Sequence, residues 1–145
     1  MKTFFVTTPI YYVNDKPHIG HAYTTIACDI LARYNKLKKN DVYFLSGTDE
    51  HGQKVENAAK SNIEDPQVFT NRMSKNFKNL VEFLNCEIND FIRTTDSKHI
   101  EASQALWKKL FDNNQIYLSN YEGWYSVRDE AFYSEDELTK KDDKF

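Results

Sequence analysis

Two short apolar runs separated by one long amphipathic stretch constrain the fold of the first third of this chain. Residues 4–7 and 42–46 are rich in aromatic and β-branched residues, which favours buried strands. Between them, apolar residues recur at helical spacing and give one apolar face: Tyr23, Ile26, Ala27, Ile30, Leu31, Tyr34 and Leu37. A strand, a helix and a strand in this order predict a βαβ unit with parallel strands. We therefore expect the first half of a doubly wound α/β fold.

Three further helices are predicted downstream. The first lies over residues 52–62, with apolar positions at Val55, Ala58 and Ala59. The second begins at Asp65, an N-cap residue followed by a proline, and its apolar stripe is Phe69, Met73, Phe77, Leu80 and Leu84. The third is capped by Asp96, ends near residues 113–114 and is expected to bury Leu106, Trp107, Leu110 and Phe111.

The character of the chain changes after the last predicted helix. Residues 91–94 predict a third strand, and from residue 116 the sequence consists of short, aromatic, β-like segments. This change predicts a boundary between an α/β portion over residues 1–114 and a small β-containing region over residues 115–145. Residues 140–145 form a polar run without a closing element, so we expect a piece of a longer protein.

Composition excludes several classes of protein. Hydrophobic residues make up 40% of the 145 residues, which is too many for a disordered chain. The net charge of −3 creates no strong field for a polyanion, so the basic surface for such a partner should lie elsewhere. Cys28 and Cys86 fit neither a disulfide framework nor a CxxC metal site, and no run approaches the ~20 apolar residues that span a bilayer. A soluble, cytoplasmic protein is predicted.

The turn between the first strand and its helix contains two histidines and a glycine. In an open parallel sheet, ligands lie beyond the carboxyl ends of strands, where helix N-termini attract anions. Gly20 lacks a Cβ and allows a nucleotide to approach the backbone, and His18 and His21 share one face of the first helical turn. A surface histidine pair and an HxxH metal pair are the alternatives. The flanking strand and helix favour the binding of nucleotide phosphates.

A second polar cluster, GTDEHG at residues 47–52, follows the second predicted strand. Because parallel strands end at the same edge of a sheet, this cluster is expected on the same edge as the two histidines. Turn chemistry with Thr48 or Asp49 as a helix cap is one interpretation. The other is that a half-buried carboxylate faces a pocket and binds an ammonium group.

The segment at residues 8–25, TPIYYVNDKPHIGHAYTT, resembles the HIGH signature of class I aminoacyl-tRNA synthetases, and in particular that of the methionyl-tRNA synthetases. GTDEHG and the stretches at residues 90–96 and 121–125 extend the resemblance over essentially the whole chain. It implies the amino-terminal half of a Rossmann-like, nucleotide-binding catalytic domain over residues 1–114 and the beginning of its connective insertion over residues 115–145. It also implies activation of methionine with ATP to methionyl-adenylate and transfer of methionine to tRNA(Met). The tRNA is expected to bind regions that lie mostly outside this chain.

The resemblance assigns substrates to particular residues. ATP is expected to contact Asn14, His18, Gly20 and His21, and methionine to contact Ile10, Tyr12 and Asp49. His18 and His21 are the catalytic pair, Asp49 is the partner of the α-amino group, and Tyr12 is a gate over the substrate. Mg²⁺ is expected with ATP, held mainly by phosphate oxygens and water.

Two features differ from the family pattern. Residues 126–129 stand where many members have the CxxC of a zinc knuckle, and none is cysteine, so no zinc is predicted. The second nucleotide signature, KMSKS, is missing, and residues 73–75 match it only by chance within a predicted helix. The isolated chain is therefore expected to be inactive. An HxGH nucleotidyltransferase and a non-catalytic methionine-binding fragment remain alternative functions.

Overall fold

The computed structural model describes residues 2–139, which divide into two compact units on either side of the Ser103–Gln104 bond. The first unit begins with β1 (Thr3–Thr7), β2 (Tyr11–Tyr12), α1 (Ile19–Leu37) and β3 (Asp41–Asp49). It continues with α2 (Gln53–Ser61), α3 (Pro66–Phe83) and β4 (Asp90–Arg93). α4 (Ser97–Asp112) crosses the division, and β5 (Trp124–Ser126), β6 (Ala131–Tyr133) and a 3₁₀ turn (Glu135–Glu137) follow. The division into catalytic portion and insertion at residue 114 stays a prediction.

β3 is the centre of a parallel sheet. β1 pairs with its first half, from Thr3 opposite Asp41, and β4 pairs with residues 45–48 on the other side. These pairings confirm the predicted parallel α/β sheet and its third strand. The two-residue β2 continues along the β1 side of β3, and the sequence did not predict it because two residues carry no periodic signal.

α1 is confirmed as a helix, but its apolar face does not pack inside the unit to which it belongs. The buried positions are Ala22, Thr25, Asp29 and Ala32. The predicted apolar face is largely exposed, with Tyr23 at 75%, Ile30 at 61% and Leu37 at 84% of their accessible surface. The buried Asp29 carboxylate is satisfied by Arg33 Nε at 2.6 Å and by the Glu87 N–H at 2.9 Å.

The largest group of buried apolar side chains lies between α2, α3 and the segment after β1. Its buried members are Tyr11, Val13, Val55, Ala59, Phe69, Met73 and Phe77. The predicted apolar stripes of α2 and α3 are thus confirmed, with Leu80 and Leu84 only half-buried. The cap of α3 is confirmed as well, because Asp65 Oδ1 accepts hydrogen bonds from the backbone N–H groups of Gln67 and Val68.

In the described part of the second unit, β5 and β6 form a β-hairpin and pair antiparallel, with Trp124 opposite Tyr133. The prediction that α4 buries its apolar residues is wrong for the described structure. Leu106, Trp107 and Phe111 are 60%, 63% and 61% exposed, and Leu110 is half-buried. The polar run at residues 140–145 lies outside the described residues. Among the helices in the described range, none combines the length and hydrophobicity of a membrane span.

Candidate functional site

His18 and His21 cap α1 by a reciprocal exchange of hydrogen bonds. His18 Nδ1 accepts from the Gly20 N–H at 3.1 Å, and His21 Nδ1 accepts from the His18 N–H at 3.0 Å. Such a capping box satisfies backbone donors that a helix N-terminus otherwise leaves unpaired. The planes of the two rings are tilted by 43° to each other, and the ring centroids lie 3.9 Å apart.

This cap determines which nitrogen of each ring carries a proton. Because Nδ1 accepts a hydrogen bond in both rings, the proton of each neutral imidazole is on Nε2. Two Nε2–H donors at the positive end of a 19-residue helix are suited to bind an anion. This arrangement matches the phosphate-binding interpretation of the turn and does not provide the free nitrogen pair that a metal needs.

An aromatic box that the sequence did not predict holds His21. Tyr11 and Phe77 both contact its ring edge-on, with centroids 4.8 Å and 5.1 Å away, and they stack on each other. The Tyr11 hydroxyl hydrogen-bonds Thr25 Oγ1 at 2.8 Å. Burial, with a further contribution from the charge of His18, lowers the pKa of His21 below its usual value. The neutral donor form of His21 is therefore favoured.

Asp49 and Tyr12 are neighbours at the carboxyl end of the sheet. They are in register across β2 and β3, and the Val13 N–H donates to the Asp49 carbonyl at 3.4 Å. Side chains in register in a parallel pair lie on the same face, so the half-buried carboxylate and the Tyr12 ring share one side. Tyr11 faces His21 and Tyr12 pairs with Asp49, so adjacent residues of β2 connect the two predicted polar clusters.

The remaining predicted residues are more exposed. Ile10 is 42% exposed just before β2, and Asn14 is exposed beside a small hollow that Met73 and Arg72 also line. Gly20 lies against the ring of His18, where an added Cβ would stand 2.9 Å from His18 Cε1. The substrate contacts assigned to these residues stay predictions.

Glu50 is the strongest site feature that sequence reasoning missed. Its side chain has no accessible surface and forms an ion pair with Arg93, whose Nε lies 2.7 Å from Glu50 Oε1. Burial by itself raises the pKa of Glu50, but hydrogen bonds from Arg93, Thr95 and Thr48 outweigh it and the pKa is lowered. The carboxylate is thus ionised. Its place between Asp49 and His51 in GTDEHG was visible, but its partner 43 residues away was not.

The described residues contain no cluster of three His, Cys, Asp or Glu side chains that could hold a metal ion. At the positions of the family's CxxC, Ser126 Oγ donates to Asp129 Oδ2 at 2.7 Å and accepts from the Asp129 N–H at 3.2 Å. The β5–β6 turn is therefore closed by direct hydrogen bonds between these two residues. The absence of zinc stays a prediction.

Comparison with known proteins places this geometry in context. Residues 4–141 match the family model described as tRNA synthetases class I (M). The chain is 58% identical over 137 residues to the methionine–tRNA ligase of Rickettsia felis, and 48% identical over 141 residues to that of Halalkalibacterium halodurans. These matches cover 94% and 97% of this chain, but only 27% and 21% of the two relatives.

The fold is also similar to that of a solved protein. The Mycobacterium tuberculosis methionyl-tRNA synthetase in complex with methionyl-adenylate superimposes with a TM-score of 0.93 at 48% identity. The match covers 99% of this chain and 28% of that protein. The chain therefore spans between 21% and 28% of the length of these three proteins.

Proposed function

This chain belongs to the class I tRNA synthetase (M) family, and from that premise we propose that the whole protein ligates methionine to tRNA(Met). One observation in the site carries the proposal. Tyr11 contacts His21, and its neighbour Tyr12 pairs with Asp49. These two adjacent residues therefore connect the anion-binding start of α1 to the Asp49 carboxylate. A similar protein solved with methionyl-adenylate, which contains both an ammonium and a phosphate, supports it.

In the proposed first step, a carboxylate oxygen of methionine attacks the α-phosphorus of ATP and the bond to pyrophosphate breaks. The Nε2–H groups of His18 and His21 donate to phosphate oxygens as charge develops on them. Asn14 and the exposed backbone at Gly20 complete the proposed ATP contacts. No protein nucleophile is needed, because positioning and charge stabilisation account for catalysis.

Asp49 is proposed to bind the methionine ammonium, with Ile10 and Tyr12 against the thioether side chain. Aliphatic and aromatic groups suit a flexible, polarisable side chain. In the second step, a hydroxyl of the terminal adenosine of tRNA attacks the activated carbonyl and AMP leaves. Most tRNA contacts are assigned to regions outside this chain, since its net charge is −3.

The proposal includes Mg²⁺ bound with ATP through phosphate oxygens and water. The described residues offer no three-ligand set of side chains for it, and no step here depends on its position. No zinc is assigned to the β5–β6 hairpin, and a cytoplasmic location is part of the same proposal.

Methionine-dependent exchange between ATP and pyrophosphate tests this function in the natural-length protein that carries these residues. His21→Ala should lower the exchange rate by ~10²-fold, on the order of 3 kcal/mol, because one donor to developing charge is lost. Methionine affinity should change little. His99→Ala, which removes a histidine on α4, is the matched control and should leave exchange unchanged.

Three results would contradict the proposal. Near-normal exchange in His21→Ala would remove the catalytic role of that histidine. Adenylyl transfer onto a phosphopantetheine-like acceptor without methionine would favour the HxGH nucleotidyltransferase. If methionine stabilised the natural-length protein against heat but no exchange occurred, a binding function would be favoured. For the isolated 145 residues, which lack KMSKS, we expect stabilisation without exchange.

A further inference from the structure

We propose that Glu50 is a positioning residue, whose buried carboxylate ties the end of β3 to the end of β4 and so orients Asp49 toward the methionine ammonium. The inference deepens the proposed function and rests on it. Nothing in the sequence motif separates this role from that of an ordinary polar turn residue. The contacts around Glu50 do.

Four hydrogen bonds satisfy the Glu50 carboxylate. Oε1 accepts from Thr48 Oγ1 at 2.8 Å and from Arg93 Nε at 2.7 Å. Oε2 accepts from Arg93 Nη2 at 2.8 Å and also from Thr95 Oγ1. The Arg93 pair is bidentate, a geometry that restricts both the distance and the angle between two planar groups. One carboxylate therefore ties the end of β3 to the end of β4.

The network also reaches the helix that covers the sheet. Arg93 Nη2 donates to Asn71 Oδ1 at 2.6 Å, and Thr48 Oγ1 lies 3.1 Å from Ser74 Oγ. Both partners are on α3, the helix that supplies Phe77 to the His21 box. The end of β3 is thus fixed relative to the same helix that supports the catalytic histidine.

The peptide that follows Asp49 is held from both sides. Its carbonyl accepts from the Val13 N–H at 3.4 Å, and its N–H donates to Thr94 Oγ1 at 2.9 Å. The Thr94 N–H in turn donates to the Thr48 carbonyl at 3.2 Å. These bonds hold the backbone that follows the Asp49 Cα between β2 and the end of β4, so the position of the Asp49 side chain depends on them.

Alternation along β3 separates the two acidic side chains. Thr48 and Glu50 are buried together, whereas Asp49 is half-buried on the face of Tyr12. Glu50 therefore cannot contact a ligand that Asp49 binds, and any effect on substrate must pass through the backbone. A buried ion pair contributes little net stability because desolvation of the charges offsets their attraction. Orientation of the strand end is the role that its geometry serves.

The test is a kinetic cycle in the natural-length protein. Glu50→Gln should raise the KM for methionine about tenfold and leave the KM for ATP within about twofold, since a small misplacement weakens only the contact it moves. Asp49→Asn should raise the KM for methionine further. The double variant should be no worse than Asp49→Asn alone, because residues that act through one contact are not additive.

Two further variants keep the test decisive. Thr94→Val removes the acceptor of the Glu50 N–H at nearly constant volume and should give the same selective rise, even where Glu50→Gln folds poorly. Asp29→Asn breaks another ion pair between a buried carboxylate and an arginine, on α1, and should leave both KM values unchanged. This control separates the loss of an ion pair of a buried carboxylate from the loss of the position of Asp49.

Different results would overturn the positioning role of Glu50 and the proposed function. No methionine-dependent exchange in the unmodified protein would end the proposed function. Normal exchange with an unchanged methionine KM in Glu50→Gln and Thr94→Val would overturn only the positioning role. Additive effects of Glu50→Gln and Asp49→Asn, or equal rises in both KM values, would overturn it as well.

Discussion

At the scale of single side chains, His18, Gly20 and His21 at the start of α1 depend on one another. His18 accepts from the Gly20 N–H, and a Cβ at Gly20 would press on the His18 ring at 2.9 Å. His21 accepts from the His18 N–H and packs against Tyr11. The same hydrogen bonds that start the helix therefore leave both Nε2–H groups available as donors.

This arrangement makes stability depend on pH. The folded state lowers the pKa of His21, through burial first and the charge of His18 second, below the ordinary value of 6.5. As the pH falls, the unfolded chain takes up this proton first. The contribution of His21 to stability is therefore complete above about pH 6.5 and is lost as the pH falls through the folded-state pKa.

We expect the urea midpoint of the chain to fall between about pH 7.5 and about pH 5.5, and His21→Gln to remove part of that dependence. Circular dichroism measures both midpoints. His99→Gln, on α4, is the matched control for replacing a histidine by glutamine. If the urea midpoint of the His21→Gln variant changed with pH as much as that of the unmodified chain, His21 would not contribute to the pH dependence of stability.

At the scale of elements, the approach of β3 to β4 positions the Glu50–Arg93 pair. Gly47 lies opposite Ile92, and a Cβ at Gly47 would stand 2.3 Å from the Ile92 carbonyl oxygen. Backbone atoms on a paired strand cannot turn aside as a flexible side chain can. Gly47, the first glycine of GTDEHG, therefore has a packing role that is independent of any ligand.

Gly47→Ala should lower the free energy of unfolding by about 3 kcal/mol, the usual upper cost of overpacking a close contact. Gly123→Ala, where the nearest atom would be 3.5 Å away, should change it by less than about 0.5 kcal/mol. Urea denaturation of both variants gives the comparison. A cost at Gly47 no larger than that at Gly123 would mean that the two strands separate freely.

At the scale of the whole molecule, α1 presents a continuous apolar stripe to its surroundings. Its exposed members are Ile19, Tyr23, Ile26, Ile30, Tyr34 and Leu37. They recur three or four residues apart and so lie on one side of the helix. Large exposed apolar patches on a folded chain bind other apolar surfaces.

The 145-residue chain should therefore enhance the fluorescence of a hydrophobic dye in its folded state. Ile30→Glu combined with Leu37→Glu should lower that fluorescence by about threefold or more, because the two glutamates interrupt the stripe at two positions. Ile63→Glu replaces a 94% exposed apolar residue outside α1 and is the matched control. Equal signals in all three proteins would show that the stripe does not form the dye site.

Local sequence patterns were sufficient for the helices, for the strands other than the two-residue β2, and for the residue types of the candidate site. The periodicity of α1, α2 and α3, the Asp65 cap and the parallel strands were all predictable, because each depends on neighbours a few residues away. The HIGH turn and GTDEHG were recognisable for the same reason. Their shared edge of the sheet followed from the rule for parallel strands.

Tertiary structure alone decided which faces pack and which distant groups pair. Sequence indicated that α1 is amphipathic, yet its small and polar face is the buried one, because burial depends on what lies opposite. The Glu50–Arg93 pair, 43 residues apart, and the contact of Phe77 with His21 left no local signal. Periodicity reports the chemistry of one element, whereas packing and ion pairing are set by the partner that folding brings to it.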